Sequence, residues 1–380
     1  MKIGIDCRMF GLKHAGIGRY VENVVGEILK QDSQNQYVLF TRKNFDVSLL
    51  PSVKNKPKIV EADFSHYSLK EQLFFPAVLK KEKLDLVHFP HFNIPIFYQG
   101  KFIVTIHDLI KHTSRGMATT TRSPLLYWLK FFCYKLVFRQ AVRKAVMILT
   151  PSNFVKKEIV GVYKIQPEKI EVTYEGVDEK ITSNKSFHNS SKTKQGLNKY
   201  KSKQYLLYVG SVYPHKNVER LIQAVSLLRE KDKDIKLVIV CGRSIFWERL
   251  KEKIKKLIAE ELVVLTGFIP DEQLYFLYKD AEAFVFPTLS EGFGLPGLEA
   301  MAAGCPVICS DIGVLKEVYG QAAEYFNPCD PKDMAAKIKE VISDSKKKED
   351  LVKKGFEKVK LYSWKQTAYQ TLQSYQSFNQ

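Results

Sequence analysis

Nowhere in these 380 residues do eighteen apolar side chains follow one another, so the sequence offers no helix to span a bilayer. Lys2-Ile3-Gly4-Ile5 reads directly as a strand, with neither the charged leader nor the apolar core of a secretory signal. Cysteine is sparse: six residues, scattered, with no metal-ligand spacing beyond Cys305 and Cys309, which fall in or beside an apolar run. Reduced, packed thiols in a cytoplasmic protein are the expectation. Basic helices with interleaved aromatics, zinc modules and RNA-binding signatures are also missing, which argues against a nucleic-acid partner. What is plentiful is apolar residues, at 45%, and aromatics, at 12%, enough for a folded chain. The length suits two domains rather than one core.

The formal net charge of +18 is unevenly placed: residues 1–180 carry +11, residues 181–204 carry +6 and residues 205–380 only +1. A basic first half fits peripheral contact with an anionic membrane or a lipid-phosphate acceptor; a diffuse lysine-rich composition is the plainer account. The stretch Leu125 to Val146 mixes Trp128, Phe131, Phe132 and Tyr134 with Lys130, Lys135, Arg139, Arg143 and Lys144. It fits a helix resting on a membrane surface or one buried on a single side, and the pattern favours burial.

Short apolar runs alternate with helical patterns, the mark of βα units and parallel sheets. Strands are expected at Ile3–Ile5, Tyr37–Phe40, Leu86–Phe89, Phe102–Ile106 and Met147–Thr150. Val21, Val24, Val25, Ile28 and Leu29 form a one-face helical stripe after the first. The pattern restarts with strands at Leu206–Val209, Leu237–Val240, Val263–Leu265, Phe284–Phe286 and Val307–Cys309. Between the two series, residues 183–204 are polar and rich in Ser, Asn and Lys, as in a flexible linker. The division is therefore 1–182, linker 183–204, and 205–362, followed by a last helix over 363–380 with Trp364, Ala368, Leu372 and Tyr375 on one face.

Residues 291–299, Glu-Gly-Phe-Gly-Leu-Pro-Gly-Leu-Glu, follow the apolar run Ala283-Phe284-Val285-Phe286. Two carboxylates thus flank a glycine-rich bend between a strand and a helix, with Pro296 suited to the first helical position and Glu299 to the first turn. The amides of Phe293, Gly294 and Leu295 are placed to meet an anion at a helix N-terminus. Carboxylates for hydroxyls beside amides for phosphate describe a pocket for a nucleotide sugar. Asp232-Lys233-Asp234 precedes a strand, at the wrong end for a ligand, and reads as a solvated turn.

The string PTLSEGFGLPGLEAMAAGCPVICSD resembles the signature of retaining glycosyltransferases of family 4, two glutamates separated by seven residues. The resemblance implies an α/β fold of GT-B type, two Rossmann-like domains facing across a cleft, with the C-terminal helix crossing back to the N-terminal domain. It covers nearly the whole chain. It implies a catalytic set of His107, Lys216 and Glu291, with His107 beside the donor sugar and Glu299 on the ribose diol. In Ser211-Val212-Tyr213-Pro214-His215-Lys216-Asn217, the family carries Arg where this chain has His215, so either the imidazole donates to the phosphates or Lys216 holds the charge alone. The donor loop begins at Ser211. Gly16 and Gly18, in His14-Ala15-Gly16-Ile17-Gly18-Arg19, match the family's segment across from the donor phosphates. Val21 replaces the third glycine of a dinucleotide fingerprint, which disfavours a nicotinamide cofactor.

Asp108 either fixes the His107 imidazole or caps the next turn; Ser152 and Asn153 read as a helix cap. His88 and His91 are read as acceptor-side or structural residues, since no third metal ligand is evident. No metal or other cofactor is expected. The segments GIGRYVENV, HKNVERLI and EGFGLPGLEAM are most similar to bacterial mannosyltransferases of surface-polysaccharide synthesis. GDP-mannose is the first donor and UDP-hexoses the next, with a glycan or lipid-linked acceptor. A GT-B epimerase and a non-catalytic nucleotide-sugar binder are the alternatives.

Overall fold

The computed structural model describes residues 1–11, 14–113, 124–178, 204–229, 234–257 and 259–378. The expected linker falls outside the described residues apart from Gln204, as do Asp232 and Lys233. The described residues divide into two units: 1–113, 124–176 and 364–378 form the first, and 177–178 and 204–363 the second.

In the first unit, seven strands run parallel: β1 (Lys2–Asp6), β2 (Gln36–Thr41), β3 (Lys58–Glu61), β4 (Leu86–Phe89), β5 (Phe102–Thr105), β6 (Met147–Thr150) and β7 (Ile170–Val172). Their order is β3-β2-β1-β4-β5-β6-β7, with Ile3 level with Tyr37 on one side and Leu86 on the other. The central strands are buried along their length, as apolar runs covered on both faces must be. Helices α1 (Ala15–Gln31), α2 (Leu69–Lys81), α3 (Ile110–Thr113), α4 (Pro124–Lys144) and α5 (Asn153–Tyr163) complete the βα units. Ser68 and Ser152 cap α2 and α5 by accepting from Glu71 and Val155 N–H groups. Phe75 and Leu79 of α2, Phe138 and Val142 of α4 and Ile159 of α5 share one core against the sheet.

The second unit repeats the plan with six parallel strands: β8 (Gln204–Val209), β9 (Ile235–Val240), β10 (Val263–Gly267), β11 (Ala283–Phe286), β12 (Val307–Ser310) and β13 (Ala323–Phe326), ordered β10-β9-β8-β11-β12-β13. Its helices are α6 (Val218–Arg229), α7 (Ile245–Lys256), α8 (Asp271–Lys279), α9 (Leu295–Ala302), α10 (Gly313–Tyr319), α11 (Pro331–Ser343) and α12 (Ser345–Val359). The last helix, α13 (Trp364–Gln376), belongs to the first unit, where Trp364, Ala368, Leu372 and Tyr375 are buried and α1 is its main neighbour. Cys305 and Cys309 are buried free thiols, whereas Cys133 and Cys329 are exposed, against the expectation of packed thiols throughout.

His88 is a core residue rather than an acceptor-side one. It lies within β4, only 1% exposed, with Nδ1 2.7 Å from the Tyr375 hydroxyl and Nε2 2.8 Å from Thr105 Oγ1. It therefore ties α13 to the sheet. Burial, with a lesser push from His107, lowers its pKa to about 3, so the folded ring stays neutral. The unfolded chain takes up a proton below about 6.5 that the native ring refuses, so stability falls as pH drops from there towards 3. This residue alone is expected to cost about 2 kcal/mol of stability between pH 7 and pH 5, and His88→Asn to flatten that limb, as read by denaturant unfolding at each pH.

Candidate active site

Parallel sheets bind ligands beyond the strand C-termini, where strand order reverses. In the second unit that point lies between β8 and β11. The loop after β8 passes through exposed Ser211, whose carbonyl accepts from the Tyr208 hydroxyl at 2.6 Å, into the tight turn Pro214–Lys216. The loop after β11 runs through Glu291 into α9. The two are tied together, since the Leu289 N–H donates to the His215 carbonyl at 2.8 Å. Asn217 closes the turn with φ 58°, a left-handed conformation that asparagine tolerates. Its buried amide nitrogen donates to the carbonyls of Pro287 (3.0 Å) and Pro328 (2.7 Å), and its oxygen accepts from Arg220 at 2.8 Å. Sequence reasoning missed this role; an Asn closing a Pro-led turn was the available signal.

The tie brings Lys216 and Glu291 into an ion pair, Nζ to Oε1, with the side chains 14% and 13% exposed. The ammonium also sits 5.7 Å from the centre of the Phe286 ring. His215 stacks on Tyr213 at 5.9 Å, and burial, aided by the Lys216 charge, lowers its pKa to about 4. The imidazole is neutral at pH 7, so Lys216 carries the positive charge of this turn alone.

The glycine-rich bend has a packing role that its sequence did not reveal. Gly294 takes φ 95° as the N-cap of α9, has no side chain of its own to cap it, and its carbonyl accepts from the Tyr319 hydroxyl. A Cβ at Gly294 would stand 2.6 Å from the Tyr319 oxygen, and one at Gly297 only 2.3 Å away. Phe293 is buried edge-on to Tyr362 at 5.5 Å, so its side chain packs inside the unit. Because α9 starts at Leu295, Pro296 occupies the second helical position and Glu299 opens the second turn, not the first. Glu299 is 5% exposed and accepts from the Tyr278 hydroxyl at 3.4 Å. The two glutamates thus have different partners, Lys216 for one and Tyr278 for the other. A cavity of about 630 Å³ lies elsewhere, at the opposite end of the strands, lined by Gln204, Ile235 and Lys339.

The first unit reverses between β1 and β4. There a crevice with room for one water-sized group, about 10 Å³, is lined by Asp6, Ile17, His66, Pro90, His91 and Asn93. The Arg8 guanidinium, 1% exposed, bridges Asp6 (2.7 and 2.8 Å) and Glu71 (2.7 Å). Asn93 donates to both Glu71 oxygens at 2.8 and 2.9 Å, which leaves its own Oδ1 without a partner among the described residues. None of these four was legible as a site residue. His91 Nδ1 accepts from the Asn93 N–H at 3.3 Å, and burial holds its pKa well below the usual value.

His107 lies just beyond β5 with Nδ1 3.2 Å from Glu175 Oε1 and Nε2 3.0 Å from the Pro90 carbonyl. Burial opposes its charge, but the Glu175 carboxylate and the Pro90 carbonyl outweigh that and raise its pKa. Both ring nitrogens are engaged, so neither faces a sugar hydroxyl in this arrangement. Glu175, not Asp108, orients the ring; Asp108 caps the next turn by accepting from the Ile110 N–H at 2.9 Å. Gly18 is required by packing, since a Cβ there would meet the Gly11 carbonyl oxygen at 1.9 Å, while Gly16 has open space around it.

Two parallel-sheet units of this plan have the architecture of the GT-B fold. The pattern of the family described as "Glycosyltransferase Family 4" matches residues 15–180, and that described as "Glycosyl transferases group 1" matches residues 189–358. The chain belongs to the glycosyltransferases of family 4. It is 28% identical over 384 residues to O-antigen chain mannosyltransferase B of Escherichia coli, covering 95% of each chain. It is 32% identical over 249 residues to O-antigen chain mannosyltransferase RfbU of Salmonella typhimurium, covering 64% of this chain and 66% of that one. Among solved structures, a sucrose-phosphate synthase from Thermosynechococcus elongatus matches the fold with a TM-score of 0.75 at 20% identity, over 99% of this chain and 98% of that one.

The packing role of the bend has a direct test. Gly297→Ala is expected to cost about 1–3 kcal/mol by overpacking against Tyr319. Combined with Tyr319→Leu, the loss in thermal or denaturant unfolding should be smaller than the sum of the two single changes.

Proposed function

We propose that this glycosyltransferase moves mannose from GDP-mannose to a hydroxyl of a glycan or lipid-linked acceptor, with retention at the anomeric carbon and without a metal. The observation that carries the reading is the Lys216–Glu291 pair, held at the strand reversal of the second unit by the Asn217 tie. An ammonium fixed there neutralises the charge that develops on a departing diphosphate. Glu291 holds that ammonium through Oε1 and accepts a sugar hydroxyl on its second oxygen. The start of α9 offers the Leu295 amide to the phosphates, and Glu299, beside Tyr278, accepts the ribose diol. His107, with both ring nitrogens held by Glu175 and Pro90, acts through its placement rather than through a free ring nitrogen. The diphosphate's own oxygen takes the acceptor proton as the acceptor attacks the face the leaving group vacates. Similarity to a mannosyltransferase across 95% of the chain favours mannose, and GDP follows from the choice of sugar.

Two measurements test this. A thermal-shift panel of GDP, UDP, ADP and their sugars should show GDP-mannose raising Tm most, with a stabilisation of about 2.7 kcal/mol at a hundred times its Kd; a larger shift with a UDP-hexose would replace the donor. Lys216→Ala should lower the transfer rate about a hundredfold, on the order of 3 kcal/mol, with wild-type turnover refuting its role.

A further inference from the structure

The side of the first unit that carries α2 and α4 is apolar where it should be wet. Helix α4 buries Tyr134, Phe138, Ala141 and Val142 against the core, one helical face at the expected spacing. The opposite arc bears Trp128, Leu129, Phe132 and Leu136 at 54%, 59%, 68% and 41% exposure. A soluble helix places polar groups on such a face. Further along the same arc the residues become Arg139 and Arg143, with Lys130, Lys135 and Lys144 beside it. The helix Pro124–Lys144 holds five cations and no acidic residue.

The patch does not end with α4. Helix α2 packs into the same core through Phe75 and Leu79 and turns Leu69 and Leu73 outward, 81% and 60% exposed. The segment between the helices is fastened to both: Gln72 of α2 bonds Ile94 O and Ile96 N, and Lys144 of α4 donates to Ile96 O. Phe97, 56% exposed, stands on that bridge. Exposed apolar surface thus continues from one helix to the other on one side of the sheet, beyond the scattered single residues normal for a monomer.

We propose that this face docks on an anionic lipid bilayer, with Trp128, Phe132, Leu69 and Leu73 entering the headgroup–acyl boundary and the arginines and lysines of α4 meeting lipid phosphates. A second copy of the chain is the less suited occupant, because two faces each lined by the cations of α4 repel one another. A spanning mode is excluded for α4, whose 21 residues carry five cations and are not apolar enough to cross. What remains is a helix lying in the interface plane, apolar towards the acyl chains and cationic at the headgroups. The inference extends the acceptor reading but does not need it, since the test involves no sugar.

The full chain carries its own reporter. Of its three tryptophans, Trp247 and Trp364 are 5% exposed each, so a change in emission on docking reads Trp128. The chain is mixed with phosphatidylcholine vesicles containing or lacking phosphatidylglycerol, and followed by co-sedimentation and tryptophan emission. Expected are sedimentation with the anionic vesicles only, a blue shift, and loss of binding as salt is raised. Phe132→Ser with Leu136→Ser should weaken binding at least tenfold with the melting temperature unchanged. Arg139→Glu with Arg143→Glu should do the same. No association with anionic vesicles overturns the proposal. So does association that leaves the emission and both double variants unaffected, or a dimer in analytical ultracentrifugation that Phe132→Ser dissolves.

Discussion

One asparagine holds the candidate site of the second unit in place. A parallel sheet fixes its strands by their ladders, but the loops beyond its C-terminal edge have no such partner and must be tied separately. Asn217 supplies the tie by combining a left-handed backbone with three side-chain hydrogen bonds, to the end of β11, to the loop after β13 and from Arg220 on α6. The position of Lys216 follows from it, because the turn Pro214–Lys216 ends at Asn217. The position of Glu291 follows in turn, through the bond from the Leu289 N–H to the His215 carbonyl. An ion pair alone would not set this geometry, since partly exposed charges gain little from one another once side-chain entropy is counted. The backbone does the placing and the charges use it.

The first unit solves its own reversal point with charge rather than with backbone. Asp6 and Glu71 share the Arg8 guanidinium, whose carbon lies 4.1 Å from the centre of the Phe75 ring, and all three side chains are buried. Asp6 takes two guanidinium bonds and the Arg8 N–H; burial opposes its ionisation, but Arg8 prevails and its pKa falls. For Glu71 burial, with a lesser push from Asp6, outweighs Arg8 and Asn93, and its pKa rises. Such a network is costly to desolvate and adds little stability over an apolar equivalent. Its retention beside the crevice fits a group whose orientation matters. It fixes the Asn93 amide by its nitrogen, because the reverse orientation would set the carbonyl oxygen against a carboxylate.

Much of the fold was legible because central strands of a parallel sheet are continuous apolar runs. Leu86–Phe89 and Met147–Thr150 were read with the bounds they have. The strands missed were β3, β7 and β13, each at the edge of its sheet. Lys58-Ile-Val-Glu, Ile170-Glu-Val and Ala323-Glu-Tyr-Phe are short and carry an ionisable residue, because one side of an edge strand borders water rather than another strand. In the site, spacing along the chain located Lys216 and Glu291, whose loops each follow a readable strand. Glu175 meets His107 across 68 residues and Asn217 meets Pro328 across 111, and no local pattern announces either. The glycines differ in what they serve: Gly18 and Gly297 mark close contacts within the protein, whereas Gly16 has the open surroundings that a ligand approach requires.

Where the resemblance implies an arginine this chain has His215, and in the proposed donor site that changes what the second unit can offer a diphosphate. A guanidinium would add a permanent charge and a planar fork. The imidazole adds neither, because burial and its neighbour Lys216 keep it neutral far below pH 7. With Lys216 paired to Glu291, these two side chains together carry no net charge, so long-range attraction for an anion is weak there. In the proposed site what is left is directional: the start of α9 at Leu295, reached through the left-handed Gly294, and an ammonium already fixed in position. Such a site discriminates by the placement of donors rather than by field strength. Its hold on a phosphate should therefore depend on the left-handed turns at Gly294 and Asn217 more than on the number of cations nearby.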